Sequence, residues 1–291
     1  MFKLLMTYFG VLALFILPPL LILARYVPGD VWAWLRDHKR EVDWLAYKIV
    51  LAHVVLALVY TTPWDNYLVA SGVWWYDPQL VTGITLGWVP IEEYTFFILQ
   101  TLMTGLWALV LQRRLAQPAK AFTPSAWIRW AGSATLLLMG AASLAALLAG
   151  WLPGRYMSLI LIWAAVPVGV QVAFGGDILH ARAGKLALTI VPPTLYLWAV
   201  DAFAIGSGTW TINPLQTTGI KFGVLPIEEM LFFFVTNLII GCGVQLMLAE
   251  ESQQRVKTWF SNWKSRPTHQ SGNAETPEPE ASRSPIGESQ V

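Results

Sequence analysis

The chain has 291 residues, of which 13% are charged and 55% hydrophobic. A soluble domain carries about 25% charged residues, so the composition excludes one and predicts an integral, multi-pass membrane protein. The net charge of +1 says little beside where the charges sit, nucleic acid is not an expected partner, and the single cysteine, Cys242, excludes an internal disulfide and a cysteine-built metal site.

The apolar residues fall in seven blocks, which predicts an all-α polytopic fold of seven transmembrane helices. The first span, Leu4 to Leu23, is too long and continuous for a signal peptide, and Pro18 and Pro19 predict a kink in it. A charged connection from Arg25 to Asp43 leads to the second, Trp44 to Tyr67, which loses apolar character towards Thr61, Pro63 and Asp65. The loop Ser71 to Val89 has no Lys or Arg and reads as an interfacial or re-entrant segment, anchored at headgroup depth by Trp74, Trp75 and Trp88. Span three starts at Pro90 and ends near Arg113 and Arg114. Spans four to seven follow at Trp130–Trp151, Tyr156–Phe174, Leu186–Ala204 and Pro226–Leu248, with prolines 167, 192 and 193 inside the fifth and sixth. The Pro-, Ser- and Glu-rich end, from Ser265 onward, predicts a disordered tail within a terminal segment 251–291.

One stretch occurs twice. Pro90-Ile91-Glu92-Glu93 returns as Pro226-Ile227-Glu228-Glu229, and at an offset of 136 residues Pro63 to Gly105 overlays its second copy without a gap, seventeen of forty-three positions being identical. Asp65 matches Asp201, Gly72 matches Gly208 and Trp74 matches Trp210. The predicted organisation is therefore two parallel three-helix repeats, residues 1–114 and 156–250, joined by a linker with span four, 115–155. Placing the first-second, third-fourth and fifth-sixth connections with the tail collects 16 of the 19 Lys and Arg on one side. The positive-inside rule then sets the tail in the cytoplasm and the amino terminus outside. Both Glu pairs and both aspartates come to lie near the outer face.

Proline at the first helical position followed by acids in the first turn is an ordinary helix start. Acids bordering a span are costly and usually functional, however, and here the pair recurs with the same spacing to an Asp and to loop glycines. Two buried carboxyl groups held as one acid and one carboxylate can donate a proton and take one back, the two steps of an isomerisation without redox. Glu93, Phe97, Gln100, Thr101 and Thr104 share one face of span three, and Glu229, Phe233, Thr236 and Asn237 the matching face of span seven. Aromatic faces stabilise a nearby cation, so this wall suits a carbocation route, although any one Phe is as readily core packing. No dinucleotide fingerprint follows a strand, no aspartate run offers Mg²⁺ to a diphosphate, the four histidines are scattered, and span seven has no mid-span lysine for a retinal Schiff base. No cofactor and no metal are expected.

The blocks Thr62-Pro63-Trp64-Asp65-Asn66-Tyr67, Gly72-Val73-Trp74-Trp75-Tyr76 and Pro90-Ile91-Glu92-Glu93-Tyr94, followed by Pro226-Ile227-Glu228-Glu229 and Phe232-Phe233-Phe234-Val235-Thr236-Asn237, resemble the membrane-embedded lycopene cyclase family in its fused two-half form. The resemblance covers about residues 1 to 250; Trp64 stands before the first Asp where the second copy has Val200. It implies a lycopene β-cyclase of carotenoid biosynthesis, acting in a bacterial or archaeal cell membrane on lycopene or a related linear carotenoid. Such an enzyme is an intramolecular lyase or isomerase: proton-initiated closure of the ψ ends gives β-ionone rings, by way of γ-carotene to β-carotene. The catalytic candidates are Glu92, Glu93, Glu228 and Glu229, with Asp65 and Asp201 behind them. Trp74, Trp75, Phe96, Phe97, Trp210, Phe232, Phe233 and Asn237 are the substrate-binding candidates. Cyclisation of a longer carotenoid or to an ε or γ ring stays open. So does self-association or contact with other carotenoid enzymes. A proton-coupled carrier is the alternative of another class, though a carrier more naturally uses inverted repeats with its acids at the bilayer midplane.

Overall fold

The computed structural model describes residues 6–27, 44–115 and 122–264. Seven helices are long and apolar enough to cross a membrane: α1 (Tyr8–Tyr26), α2 (Trp44–Ala70), α3 (Ile91–Arg114), α4 (Ala126–Leu148), α5 (Arg155–Ala181), α6 (Ala183–Ser207) and α7 (Ile227–Leu248). The chain is thus a seven-helix, multi-pass membrane protein. Most of the connection Arg25 to Asp43, and the tail from Ser265, lie outside the described residues. The segment 251–291 is not irregular throughout, because α8 (Glu250–Lys264) occupies its start. Residues Met1–Gln253 make one compact unit and Gln254–Val291 a second.

Helices α3 and α7 form the centre of the larger unit. α3 packs on α1, α2, α6 and α7, and α7 packs on α2, α5 and α6 as well. α4 lies mainly against α5 and is the least buried span. Gly105 and Gly241, one per repeat, let the inner helices approach closely: a Cβ at Gly105 would meet Val50 at 2.7 Å, too near to fit without a shift, and one at Gly241 would meet Ile190 at a tight 3.2 Å.

The repeat extends further than its ungapped overlay. α1 and α5 match at an offset of 148 rather than 136, which pairs Tyr8 with Tyr156, Phe15 with Trp163 and Pro19 with Pro167. Proline has no N–H for the carbonyl four residues back. In both copies a tyrosine hydroxyl stands in, Tyr196 donating to the Phe15 carbonyl at 2.7 Å and Tyr60 to that of Trp163 at 2.8 Å. The predicted kink in α1 takes the form of a π-helical turn over Leu12–Ile16, just ahead of Pro18 and Pro19.

The connections before α3 and α7 carry short strands: β1 (Trp74–Tyr76), β2 (Thr85–Leu86) and β3 (Val89–Pro90), then β4 (Trp210–Ile212), β5 (Lys221–Phe222) and β6 (Leu225–Pro226). α2 and α6 end in left-handed Gly72 and Gly208, at φ +67° and +77°, which only glycine adopts freely. That turn sends the chain into β1 and β4, which pair antiparallel with each other. Trp75 faces Thr211, its own counterpart at offset 136, so the pairing sits on the pseudo-twofold axis of the repeats. The loop is therefore a cross-repeat clasp, and only part of it is presented outward: Trp75 and Trp88 are 45% and 68% exposed, whereas Trp74, expected as an anchor, is buried against Tyr156 and Trp64. Pro90 and Pro226 finish β3 and β6 as N-cap residues with extended backbone, so each helix begins one residue later than the sequence suggested.

Candidate active site

Because α3 and α7 start at the same end of the bundle, their first turns bring Glu93 and Glu229 to a single buried chamber of about 40 Å³ beneath the β1–β4 clasp. Neighbouring residues on a helix point about 100° apart, and the two members of each Glu pair accordingly have different surroundings. Glu93 and Glu229 face inward. Glu93 accepts a hydrogen bond from the Tyr8 hydroxyl and Glu229 one from the Tyr156 hydroxyl at 2.6 Å, an equivalent pair of contacts in the two repeats. Glu92 and Glu228 do not line the chamber. Glu92 Oε1 accepts from the Thr82 backbone N–H at 2.6 Å, and Glu228 Oε1 from the N–H and hydroxyl of Thr218, both at 2.7 Å. They tie the loop to the helix tip, as Thr82 and Thr218 stand at the same place in each copy.

The aspartates depart from symmetry. Asp201 lines the chamber with Glu229 and takes the indole N–H of Trp210 on Oδ1 at 2.8 Å, while its Oδ2 has no partner. Asp65 is 1% exposed, sits beside Glu93, and neither of its oxygens has a hydrogen-bond partner. The cause is one substitution between the repeats. Trp74, the counterpart of Trp210, gives its N–H to the Tyr76 hydroxyl at 2.9 Å, and where the first repeat has Tyr76 the second has Ile212, which cannot accept. Tyr76 belongs to β1, outside the helices; burial foremost, then the Glu93 carboxylate, hold its phenol well above the ordinary range, so it stays a proton donor. Among the described residues no Lys or Arg forms an ion pair with any of the six carboxylates, and no group of three or more His, Cys, Asp or Glu is arranged to hold a metal ion.

Aromatic rings complete the chamber. Trp74, Phe96, Trp210, Phe232 and Phe233 line it, with Phe96 edge-on to Phe233 and Phe232 edge-on to Phe233. Phe97 lies behind, on a neighbouring cleft, and Trp75 is at the surface. Asn237 is not brought to the chamber. It is fully buried between helices, its carbonyl accepting from Gln100 at 3.2 Å and Thr104 at 2.7 Å while its amide donates to Thr194 at 3.0 Å. This is a helix-to-helix polar lock at mid-span. Tyr8, Tyr76, Tyr156 and Ile212 are the chamber residues that the sequence did not reveal; the 148-residue spacing of the two outer tyrosines was the available signal.

The family model for lycopene cyclase matches residues 5–111 and 153–246. The chain belongs to the lycopene cyclase family. The match leaves out 112–152, the stretch containing α4, and each matched part of the lycopene cyclase fold supplies one wall of the chamber: Tyr8, Trp74 and Glu93 from the first, Tyr156, Trp210 and Glu229 from the second. The chain is 40% identical over 242 residues to a lycopene beta-cyclase of Halobacterium salinarum, covering 82% of this chain and 95% of that one. It is 38% identical over 206 residues to a bifunctional lycopene cyclase/phytoene synthase of Aspergillus oryzae, and 40% identical over 212 residues to one of Phaeosphaeria nodorum. Those matches cover 70% and 68% of this chain but 34% and 35% of the fungal proteins. No solved structure matches.

Proposed function

We infer that the chain is a lycopene β-cyclase that closes the ψ ends of lycopene into β-ionone rings without net redox change. The observation that carries this reading is the meeting of Glu93 and Glu229, one from each repeat, in one buried, aromatic-walled chamber. A carboxylic acid there adds its proton to the terminal double bond of the linear end group. The neighbouring double bond attacks the resulting cation to form the ring C–C bond, and a carboxylate removes one proton from the ring to leave the new double bond. One proton enters and one leaves, so the product is an isomer of the substrate. Glu93 and Glu229 are the groups proposed to exchange protons with the substrate.

Asp201 stands on the chamber wall with Glu229 and acts through it, as a second carboxyl group in the proton exchange of that repeat. Tyr8 and Tyr156 orient the carboxylates by hydrogen bonds, and the faces of Phe96, Phe232 and Phe233 stabilise the developing cation. Glu92 and Glu228 position the roof. A single chamber built from both repeats, residues 1–114 and 156–250, serves both ends of the substrate in turn, with 115–155 as a connecting element. The β ring agrees with the Halobacterium relative, a lycopene beta-cyclase. The distribution of basic residues supports an orientation with the chamber end of the bundle at the outer face and the tail in the cytoplasm.

Expression in a lycopene-accumulating host tests the reading: γ-carotene and β-carotene are expected to replace lycopene. Unchanged lycopene, with the protein inserted in the membrane, would overturn it.

A further inference from the structure

The chamber of about 40 Å³ is far smaller than the long polyene that must stay outside it while one end reacts. Next to it lies a cleft of about 230 Å³ between α2, α3, α5 and α7. A cavity of about 150 Å³ already accepts a benzene ring, so this cleft has room for a longer apolar segment. Phe232 is part of both linings, a wall shared by chamber and cleft. From there a stack of rings leads outward: Phe232 on Trp64 at 5.7 Å, Trp64 on Trp163 at 4.9 Å, Trp163 on Tyr60 at 5.9 Å, each pair within 26° of parallel. The cleft reaches the bundle surface at Leu56 and Tyr60, 60% and 41% exposed, both on the apolar span α2.

The pseudo-twofold supplies an internal comparison. A second cleft of about 240 Å³, between α1, α3 and α6, has the matching lining: Pro19 for Pro167, Pro193 for Ala57, Tyr196 for Tyr60. It shares no lining residue with the chamber. The ring stack is also missing there, because Val200 stands where the first repeat has Trp64. Two clefts of equal size thus differ in continuity with the carboxylates and in aromatic surface.

We propose that the α2–α5–α7 cleft is the binding site for the unreacted polyene of the linear carotenoid, which enters it from the lipid at Leu56 and Tyr60, and that the α1–α6 cleft takes no part. The proposal rests on the cyclase reading for the identity of the ligand. A flat conjugated chain matches the ring stack in shape and lies against it as one ring lies on another. Cyclisation is then sequential: the chain withdraws after one ring forms and re-enters with its other end leading.

Ala57 lines the cleft and is not among the residues that line the chamber, so enlarging it fills the cleft and leaves the chamber wall unaltered. Binding is read independently of turnover, from the visible spectrum of lycopene retained by purified protein carrying Glu93→Gln and Glu229→Gln. Ala57→Trp in that background is expected to lower retention at least tenfold, and in the otherwise unaltered chain to lower conversion at limiting lycopene by the same factor. Ile22→Trp, in the other cleft, is expected to stay within twofold in both assays. The graded series Ala57→Val, Leu, Trp, with membrane insertion and melting temperature followed, separates occlusion from misfolding: affinity falls with side-chain volume while the melt holds. Retention by Ala57→Leu and Ala57→Trp equal to that of the parent, or an equal loss in Ile22→Trp, overturns the proposal. Lycopene retained but never converted by the unaltered chain would instead count against the cyclase reading and leave the cleft standing as a binding site.

Discussion

Replacing Tyr156 by Phe isolates one interaction of the chamber. The ring is fully buried and packs edge-on to Trp74 at 5.4 Å, and Phe keeps that packing. Only the hydroxyl that donates to Glu229 at 2.6 Å is lost, and nothing on the ring can replace it. A hydrogen bond to a charged acceptor contributes about 1.5–3 kcal/mol. If it holds Glu229 in the reactive position, and each 1.36 kcal/mol is a factor of ten in rate, kcat for lycopene falls roughly 10- to 150-fold. The assay is initial rate against lycopene concentration in proteoliposomes, alongside thermal melts of the purified protein. The expected result is a fall in kcat with little change in KM. Tyr8→Phe tests the same contact in the other repeat, on Glu93. A Tyr156→Phe variant that melts earlier yet keeps the parent kcat would refute the reasoning, because the hydroxyl would then serve the fold and not the carboxylate.

Glu93→Gln and Glu229→Gln are each expected to stop both ring closures, leaving lycopene as the only pigment by chromatography; accumulation of γ-carotene in either would mean that each repeat closes its own end. Glu92→Gln retains an acceptor for the Thr82 N–H and should keep kcat within about threefold, whereas Glu92→Ala loses the loop anchor and should cost about 1–3 kcal/mol in a denaturation measurement. A hundredfold rate loss in Glu92→Gln with an unaltered melt would move that residue into the chemistry. Asn237→Ala leaves Gln100, Thr104 and Thr194 without their shared partner and is expected to destabilise the fold by about 1–3 kcal/mol, while the inserted fraction turns over at nearly the parent rate.

Much of this arrangement could be read from the chain. Long apolar blocks gave the spans because a bilayer leaves no other economical conformation, and the repeated Pro-x-Glu-Glu gave the site because acids at a span end need a reason to be there. What stayed hidden has physical causes. An ungapped overlay at 136 cannot align α1 with α5, whose spacing is 148, so the two tyrosines that hold the carboxylates had no visible partners. Glu92 and Glu93 carry the same side chain, and which one faces inward depends on the helix phase set by the cap at Pro90. Asn237 shares a helical face with Glu229, yet two turns further along that face the neighbour is no longer the chamber but α3 and α6. Trp74 and Trp75 are adjacent and chemically alike, and only the β1–β4 register decides that one turns in and the other out.

The places where the repeats differ bear most directly on mechanism. A chamber with true twofold symmetry would present two identical carboxylates in identical surroundings, and neither would have a reason to give a proton while the other takes one. Duplication supplies the shared frame: two helix tips, two tyrosines, two indoles. Substitution at a single strand position then makes the halves unequal. Tyr76 draws away the indole N–H of Trp74 and leaves Asp65 without a donor beside Glu93, while Ile212 leaves Trp210 free to bind Asp201 beside Glu229. Each carboxylate keeps one tyrosine and one aspartate, but Glu93 has a second phenol in its wall and an aspartate with no donor, whereas Glu229 has an isoleucine there and an aspartate held by an indole. A reaction that both begins and ends with a proton transfer requires such a difference, and in this fold it resides in the clasp that joins the repeats.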